Sequence, residues 1–270
     1  MKEKTVYYTD LLNDEFSGVG ERREITVDEN YPFSPENIFY KAFKWLLYRI
    51  IMRPVAALYA KIKFRQKIVG REKLKSQKGG YYLYGNHTQI PGDGFMPNVM
   101  TFPRDTYFIV NRDNVAARGT RTIMTALGAL PIPSTRDGLR TFRAVIDQKI
   151  AEGSAVVIYP EAHIWPYATL IRPFSNVSFR YPAESGAPVY CFVNTYRRSK
   201  WHQPRIVTYI DGPFYSDEAT KKARQNDLHR KVLEAMNRRA NVPENHAFVH
   251  YEPTPGDRGD VRRNLNGEEM

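Results

Sequence analysis

One loop of the chain holds a histidine and a carboxylate, the residue types that general acid–base chemistry uses most. His87 and Asp93 lie six positions apart in a segment with Gly and Pro, directly after the apolar run Tyr81–Gly85. Loops at the carboxyl ends of parallel strands are where α/β proteins place their sites. A carboxylate that accepts the second ring N–H of a histidine fixes its tautomer and stabilises its cation. The pair is a candidate base with its orienting acid; the alternative is a surface loop that holds both by chance.

Two further segments place charged side chains directly after apolar runs. Glu161 follows the run 155–159 and a proline, and Arg172 lies in the next loop. Arg136 precedes a predicted helix at 138–151, and the forked donors of an arginine beside a helix N-terminus suit a phosphate. The alternative for each is a solvated surface charge. The pattern therefore indicates an acid and two arginines as candidates to accompany the histidine.

The elements that must position these residues alternate along the chain. Short apolar runs bounded by turn residues are followed by segments with helical periodicity, which predicts an α/β fold with a mostly parallel sheet flanked by helices. The predicted strands are 81–85, 106–110, 129–132, 155–159, 188–193 and 205–211. The predicted helices are 94–100, 120–127, 138–151, 175–184 and 217–240.

The segment after residue 33 has the pattern of a basic amphipathic helix. A start is predicted at Ser34, Pro35 and Glu36, and Pro54 predicts a kink or an end. Apolar residues recur at helical spacing, and the cations lie largely outside that stripe. The stripe comprises Phe39, Phe43, Leu46, Leu47 and Ile50, and the cations are Lys41, Lys44, Arg49 and Arg53.

The positive charge is concentrated in one part of the chain. The whole chain carries +11, and residues 41–78 alone hold twelve basic residues against the single acid Glu72. A basic stripe of this kind attracts polyanions, which are nucleic acid, an anionic membrane surface or phosphorylated substrates. The domain organisation we predict is a polar segment 1–33, a basic helical region 34–64, an α/β domain 65–251 and a disordered tail 252–270.

Several classes are excluded by what the sequence lacks. With the single Cys191, an intrachain disulfide and a zinc site built on thiolates are both excluded, and this cysteine lies in an apolar run typical of a core. The longest stretch without Asp, Glu, Lys or Arg has fourteen residues, whereas a spanning helix needs about twenty apolar ones. We expect no secretory signal peptide, no spanning helix and no serine hydrolase elbow.

Four segments, taken in order, resemble the motifs of the glycerolipid acyltransferases, over about residues 65–215. The family carries Asn-His-x4-Asp after a strand, then a strand with Gly-x-Ile-Phe/Pro-x-x-Arg, then Phe-Pro-Glu-Gly-Thr-Arg, and then a Val-Pro-rich strand. This chain departs from the pattern by one extra residue before Asp93, and by Ala162, His163 and Ile164 in place of Gly-Thr-Arg. The matching segments are Asn86-His87 with Asp93, Gly128–Arg136, Tyr159-Pro160-Glu161-Ala162 and Ala187-Pro188-Val189.

The resemblance implies transfer of a fatty acyl group from an acyl-CoA or acyl carrier protein thioester to the free hydroxyl of a lysophospholipid, with 1-acyl-glycerol-3-phosphate as the first candidate. His87 would be the general base and Asp93 its orienting acid. The thioester carrier is a co-substrate, and we expect no cofactor and no metal. The residues expected to bind substrate are Asn86, Arg112, Arg136, Glu161 and Arg172.

A lysophospholipid is presented by a bilayer, so a domain that uses one needs a way to reach that surface. The basic helical region 34–64 is the predicted device, with Lys41, Lys44, Arg49 and Arg53 meeting anionic headgroups. This predicts a peripheral protein at the cytoplasmic face of the cell membrane. One alternative is that the apolar stripe packs on the domain core. Another is that the chain is a non-enzymatic basic module that binds nucleic acid or a membrane surface. Helical rather than sheet-face spacing of the aromatic residues argues against the module, and no nucleic-acid partner is expected.

Overall fold

The computed structural model of the chain describes residues 1–18, 25–35, 37–116, 120–200 and 203–255. Glu36, to which part of the predicted helix start was assigned, and residues 256–270 of the predicted tail lie outside the described residues.

A seven-stranded sheet forms the centre of the fold, and a separate pair of parallel strands joins two distant parts of the chain. The strands are β1 (Lys4–Tyr8), β2 (Lys67–Val69), β3 (Tyr81–Gly85), β4 (Thr106–Val110), β5 (Ala129–Pro131), β6 (Ala155–Ile158), β7 (Val189–Arg197), β8 (Arg205–Phe214) and β9 (Val249–Pro253). The large sheet has the order β2-β8-β7-β3-β6-β4-β5, and β1 pairs with β9.

Eight α-helices connect and cover these strands in the described residues. They are α1 (Ile38–Trp45), α2 (Arg53–Lys63), α3 (Arg71–Ser76), α4 (Met96–Thr101), α5 (Thr120–Ala126), α6 (Arg136–Ala151), α7 (Arg180–Ser185) and α8 (Lys221–Ala240). A π-helical segment, Leu46–Met52, joins α1 to α2 without a break.

The central strands are parallel, and the helices that connect them bury both faces of the sheet. Strands β7, β3, β6, β4 and β5 run in one direction, and β8 reverses beside β7. All five residues of β3 are buried, as expected for a strand covered on both sides. One face packs under α6 and α8, and the other packs against α3 and α4. The predicted mostly parallel α/β architecture is confirmed.

Cys191 lies in the middle of β7 and is 1% exposed. Burial raises the pKa of its thiol well above the ordinary value, since a thiolate is poorly solvated in an apolar core. The side chain therefore fills the core, as an apolar residue would.

The polar N-terminal segment, to which no element was assigned from sequence, packs on the domain. Its strand β1 pairs with β9, so that Lys4 lies opposite Val249. Tyr8 and Phe16 pack against the indole of Trp165, with ring centroids 5.1 and 5.2 Å away. The segment thus covers the loop that follows β6.

The helical region begins later than predicted and does not end at Pro54. Asn37 is the N-cap of α1 and accepts a hydrogen bond from the backbone N–H of Phe39. Pro54 lies in the first turn of α2, where a missing backbone N–H is tolerated. Among the residues described, no helix is both long enough and apolar enough to cross a bilayer.

Candidate active site

The loop that carries His87 is fixed to the sheet at its first residue. Gly85 ends β3 where the ring of Phe192 lies so close that a Cβ would come within 2.1 Å of it, so a larger residue would have to displace this buried ring. The next side chain, Asn86, donates to the carbonyl of Asn194 at 3.1 Å and accepts from its N–H at 2.8 Å. Asn86 is 1% exposed, so it clamps the loop to β7 rather than facing a substrate.

The structure brings His87 and Asp93 into contact. Nδ1 of His87 lies 2.8 Å from Oδ2 of Asp93, and the same oxygen accepts the backbone N–H of Gln89 at 2.8 Å. A turn in which Asp93 N–H donates to the carbonyl of Gln89 at 2.9 Å takes up the extra residue of the motif. In the part of the chain described, no group bonds to Nε2 of His87, whose side chain is 23% exposed. One ring nitrogen is thus oriented and the other is left for a reactant.

Tyr159, at the end of β6, holds both members of this pair. Its ring stacks on the imidazole of His87, with centroids 4.4 Å apart and planes 17° from parallel. Its hydroxyl donates to the backbone carbonyl of Asp93 at 2.7 Å. One side chain therefore restrains the histidine ring and the turn that carries the acid.

Two backbone N–H groups in the loop after β6 donate to carbonyls of the loop that carries His87. The N–H of Trp165 donates to the carbonyl of His87 at 3.0 Å, and that of Tyr167 donates to the carbonyl of Thr88 at 2.9 Å. Trp165 is fully buried, and its indole N–H donates to the carbonyl of Asp14 at 2.7 Å. The N-terminal segment thus reaches the site through one tryptophan.

Glu161 and Arg172 form a buried ion pair next to the site. Nε of Arg172 lies 3.2 Å from Oε2 of Glu161, and its other nitrogens donate to the carbonyls of Glu161, His163 and Leu11. The exposed fractions of Arg172 and Glu161 are 1% and 4%. The expectation that Arg172 binds the phosphate of a substrate is wrong in this structure, because its donors are engaged inside the protein. The pair instead braces the loop that carries Trp165.

The other two candidate arginines lie farther along the same edge of the sheet. Arg112 begins a short 3-10 helix after β4, and Arg136 is the first residue of α6 after β5. Arg136 is exposed and Arg112 is half-buried. Strand β4 is two places from β3 in the sheet and β5 is three, which puts these positions about 10 and 14 Å to one side of β3.

Burial sets the electrostatics of the two carboxylates. It raises the pKa of Asp93 above the usual range, against the opposing hydrogen bond and positive charge of His87. Burial likewise raises the pKa of Glu161, and the guanidinium of Arg172 acts in the opposite direction. Both acids are held where their charge is costly, an arrangement that is common at functional sites.

The cations predicted to meet a membrane do not form one outward patch. Arg53 is 9% exposed and donates to the carbonyl of Arg104, and Arg49 lies 3.0 Å from Asp105. Nζ of Lys44 donates to the hydroxyl of Tyr107 at 2.6 Å. The role in headgroup binding predicted for Lys44 and Arg53 is therefore wrong, because these side chains attach the helices to the domain. Arg49 is exposed beside its ion pair, and its predicted role stays a prediction. Of the four, only Lys41 is exposed with no bond to the domain in the residues described.

The apolar side chains of the same helices face outward instead. No residue of α1 is buried, which also contradicts the alternative that its apolar stripe packs on the core. Exposed large apolar residues run along the whole helical segment: Ile38, Phe39, Phe43, Trp45, Leu46, Ile50, Ile51, Val55, Leu58 and Ile62. A large exposed apolar surface on a protein in water is typical of an interaction site for a membrane or another protein. We call these ten residues the apolar helix surface.

Sequence reasoning identified His87 and Asp93 but missed the residues that hold them. Tyr159 belongs to one of the four family-like motifs, yet its sequence position indicates only the end of a strand. The packing of Trp165 could not be predicted locally, because its ring partners include Tyr8 and Phe16 near the start of the chain and Tyr251 in β9.

The comparisons with known proteins agree with the motifs. The acyltransferase family model matches residues 65–194. Among solved structures, the chain is similar to the 1-acyl-sn-glycerophosphate acyltransferase PlsC from Thermotoga maritima, at 15% identity and a TM-score of 0.50, over 76% of this chain and 90% of that one. None of the curated protein sequences matches this chain. Both findings support the resemblance to the glycerolipid acyltransferases that the four motifs indicated.

Proposed function

We propose that this chain is a lysophospholipid acyltransferase that uses His87 as its general base. The observation that carries the proposal is the contact of Nδ1 of His87 with Asp93 at 2.8 Å, with the other ring nitrogen left for a reactant. The acceptor is a lysophospholipid with a free hydroxyl, 1-acyl-glycerol-3-phosphate first among them. The acyl donor is the thioester of coenzyme A or of acyl carrier protein.

The reaction needs no covalent intermediate on the protein, because the acceptor hydroxyl is itself the nucleophile. Nε2 of His87 takes the hydroxyl proton while the oxygen attacks the thioester carbonyl carbon, and Asp93 stabilises the imidazolium through Nδ1–H. The tetrahedral intermediate then expels the thiolate as the C–S bond breaks. The thiolate takes the proton back from His87, which restores the neutral ring and releases an ester and a thiol.

The binding roles in this proposal follow from burial. Arg112 and Arg136 are the candidates to neutralise the phosphate of the acceptor, since Arg172 is engaged inside the protein. Asn86 and Glu161 act on the loops that shape the site. His87 and Asp93 remain the only residues to which we assign a part in proton transfer.

Acyl transfer from labelled acyl-CoA to 1-acyl-glycerol-3-phosphate tests the chemistry. We expect His87→Ala to lower the rate by about 10²- to 10⁴-fold, the usual contribution of a general base. His250→Ala, on the exposed part of β9, is the matched control and should keep the wild-type rate. The proposal fails if folded His87→Ala retains full activity. It also fails if the wild type is inactive with several lysophospholipids and both thioester carriers.

We further propose that the apolar helix surface docks the protein peripherally on the cytoplasmic face of the cell membrane. The support is its orientation, with the polar side of the helices bonded to the domain and ten large apolar residues exposed. Burying this surface among lipid chains removes apolar area from water at about 25 cal/mol per Å². Docking here would bring the domain to the bilayer that holds its acceptor.

Co-sedimentation with phosphatidylcholine vesicles tests this docking without any contribution from anionic lipid. We expect Phe39→Asp and Ile62→Asp to reduce binding sharply, because each places a charge on the apolar helix surface. Val177→Asp is the control, since Val177 is 67% exposed and Ile62 is 68% exposed, but Val177 lies near α7. Equal losses in all three variants would count against the assignment, and so would binding to single-stranded oligonucleotides in place of vesicles.

A further inference from the structure

A basic cavity lies at the end of the sheet where β2, β8 and β7 are neighbours. Its volume is about 420 Å³. Strand β7 ends here at Arg197, and β8 begins at Arg205 directly opposite. The lining side chains are Lys67, Val69, Arg197, Arg198, Arg205, Val207, Tyr209 and Glu244.

The lining of this cavity holds four cations and one carboxylate, that of Glu244, so the cavity has an excess of positive charge. Arg198 pairs with Glu3 at 2.8 Å, but Lys67, Arg197 and Arg205 have no carboxylate partner within the described ranges. Arg197 is nevertheless held in place, because it donates to the hydroxyls of Thr195 at 3.2 Å and Tyr209 at 3.3 Å. An oriented guanidinium beside two uncompensated cations in a concave site is suited to a phosphate group.

This cavity is separate from the site around His87. Side chains alternate between the faces of a strand, so Arg197 shares a face of β7 with Val193, which lies in the core under α8. Phe192 lies on the other face and packs against Tyr159, the residue that stacks on His87. The sheet therefore stands between the two sites, and the cavity takes no part in proton transfer.

A short stretch of chain joins one end of the apolar helix surface to the strand that lines the cavity. Ile62 is 68% exposed near the end of α2, and Lys67 begins β2 five residues later. Five residues of extended chain span at most about 17 Å. Arg65, between them, donates to the hydroxyl of Ser199 in the loop that joins β7 to β8. A bilayer in contact with Ile62 would therefore lie no more than about 17 Å from the start of β2.

We propose that this cavity binds the phosphate of an anionic phospholipid headgroup when the apolar helix surface rests on the bilayer. Lys67, Arg197 and Arg205 are the groups that contact the phosphate. The inference rests on the proposed docking, which supplies the bilayer, and it assigns the preference for anionic lipid to residues far from Lys41, Lys44, Arg49 and Arg53. Headgroup selection and apolar docking are then carried by two different surfaces.

Vesicles of two compositions separate these two surfaces. Lys67→Gln with Arg205→Gln should lower affinity for vesicles that contain phosphatidylglycerol by about 10- to 30-fold, the expected effect of two cations at an anionic surface. Binding to pure phosphatidylcholine vesicles should stay at the wild-type level. Lys221→Gln with Lys222→Gln is the control, because it removes the same charge from an exposed end of α8 and should change neither affinity.

Three results would overturn the proposal. The first is an equal loss in the control, which would indicate a general charge effect. The second is unchanged binding to phosphatidylglycerol vesicles together with lost protection against heat by inorganic phosphate, which would indicate a site for free phosphate. The third is unchanged vesicle binding with lost binding to a single-stranded oligonucleotide. Failure of the docking itself would show separately, as a wild type that does not bind phosphatidylcholine vesicles.

Discussion

The carboxylate of Asp93 is held where burial disfavours its charge, and yet the proposed chemistry needs that charge. Its pKa is raised in the folded chain. A carboxylate with a raised folded-state pKa adds stability only at low pH, and this contribution is lost as the pH rises through the folded pKa. At neutral pH the ionised Asp93 therefore opposes folding while it orients His87.

Replacing Asp93 by Asn should separate activity from stability. We expect Asp93→Asn to lower the acyl transfer rate by about 10²- to 10⁴-fold, while the free energy of unfolding at pH 7 stays the same or rises. Asp211→Asn is the control, for which we expect a lower free energy of unfolding at pH 7. Arg239 and Lys73 lower the pKa of Asp211, so its charge stabilises the fold above that pKa. Urea denaturation of both variants checks this. A larger loss of stability in Asp93→Asn than in Asp211→Asn would contradict it.

At the scale of the element, the loop after β6 departs from the glycerolipid acyltransferase motif that it resembles, and the departure has a conformational cost. Ala162 has φ of +61°, in the left-handed region that glycine adopts without strain. It stands where the family motif has glycine, and its side chain is exposed. The same loop carries Glu161 and leads to Trp165, so its conformation matters to the site.

Ala162→Gly should stabilise the protein. We expect a gain of about 0.5–1 kcal/mol in the free energy of unfolding, because relief of left-handed strain exceeds the added freedom of the unfolded chain. Gly186→Ala is the reverse control, since Gly186 has φ of +70° and no atom lies within 4 Å of the place where a Cβ would lie. We expect its free energy of unfolding to fall by a similar amount. Thermal unfolding measures both. A loss on Ala162→Gly would show that the methyl group contributes more than the strain costs.

The helical region shows what periodicity can and cannot predict. The spacing of Phe39, Phe43 and Ile50 indicated one apolar face and one basic face. It did not indicate which face packs on the domain and which faces outward. The direction is set by contacts that are distant in sequence, such as Tyr48 with Thr106 and Arg53 with the carbonyl of Arg104. Strands β3 and β4 were predicted at their observed bounds, because a short apolar run between turn residues indicates a buried strand directly.

For the molecule as a whole, β1 and β9 tie the start of the chain to its far end. No local pattern could predict this pairing, since the partners are more than two hundred residues apart and much of their sequence is polar. The same holds for the Glu161–Arg172 ion pair, whose members each have the local pattern of a solvated or substrate-facing charge. The candidate site could thus be located from the sequence, while its supporting contacts could not.

The N-terminal packing should matter to both stability and rate. Tyr8→Ala removes a ring that is 8% exposed and lies 5.1 Å from Trp165. We expect a loss of about 3 kcal/mol, which lowers Tm by about 6–12 °C, and a slower acyl transfer because Trp165 holds the carbonyl of His87. Its neighbour Tyr7 is 52% exposed, so Tyr7→Ala should stay within about 0.5 kcal/mol of the wild type. Equal melting temperatures for the two variants would contradict this role.

Because Cys191 is buried and unreactive, the chain is suited to site-directed labelling with thiol reagents. A thiol that is 1% exposed, with a pKa raised by burial, reacts slowly with maleimides in the folded protein. A cysteine introduced at Phe39 or Leu58 would then be the sole reactive thiol without removal of the native one. A fluorophore or nitroxide at these positions could report the immersion depth of each turn of the helices, residue by residue, in an otherwise unaltered protein.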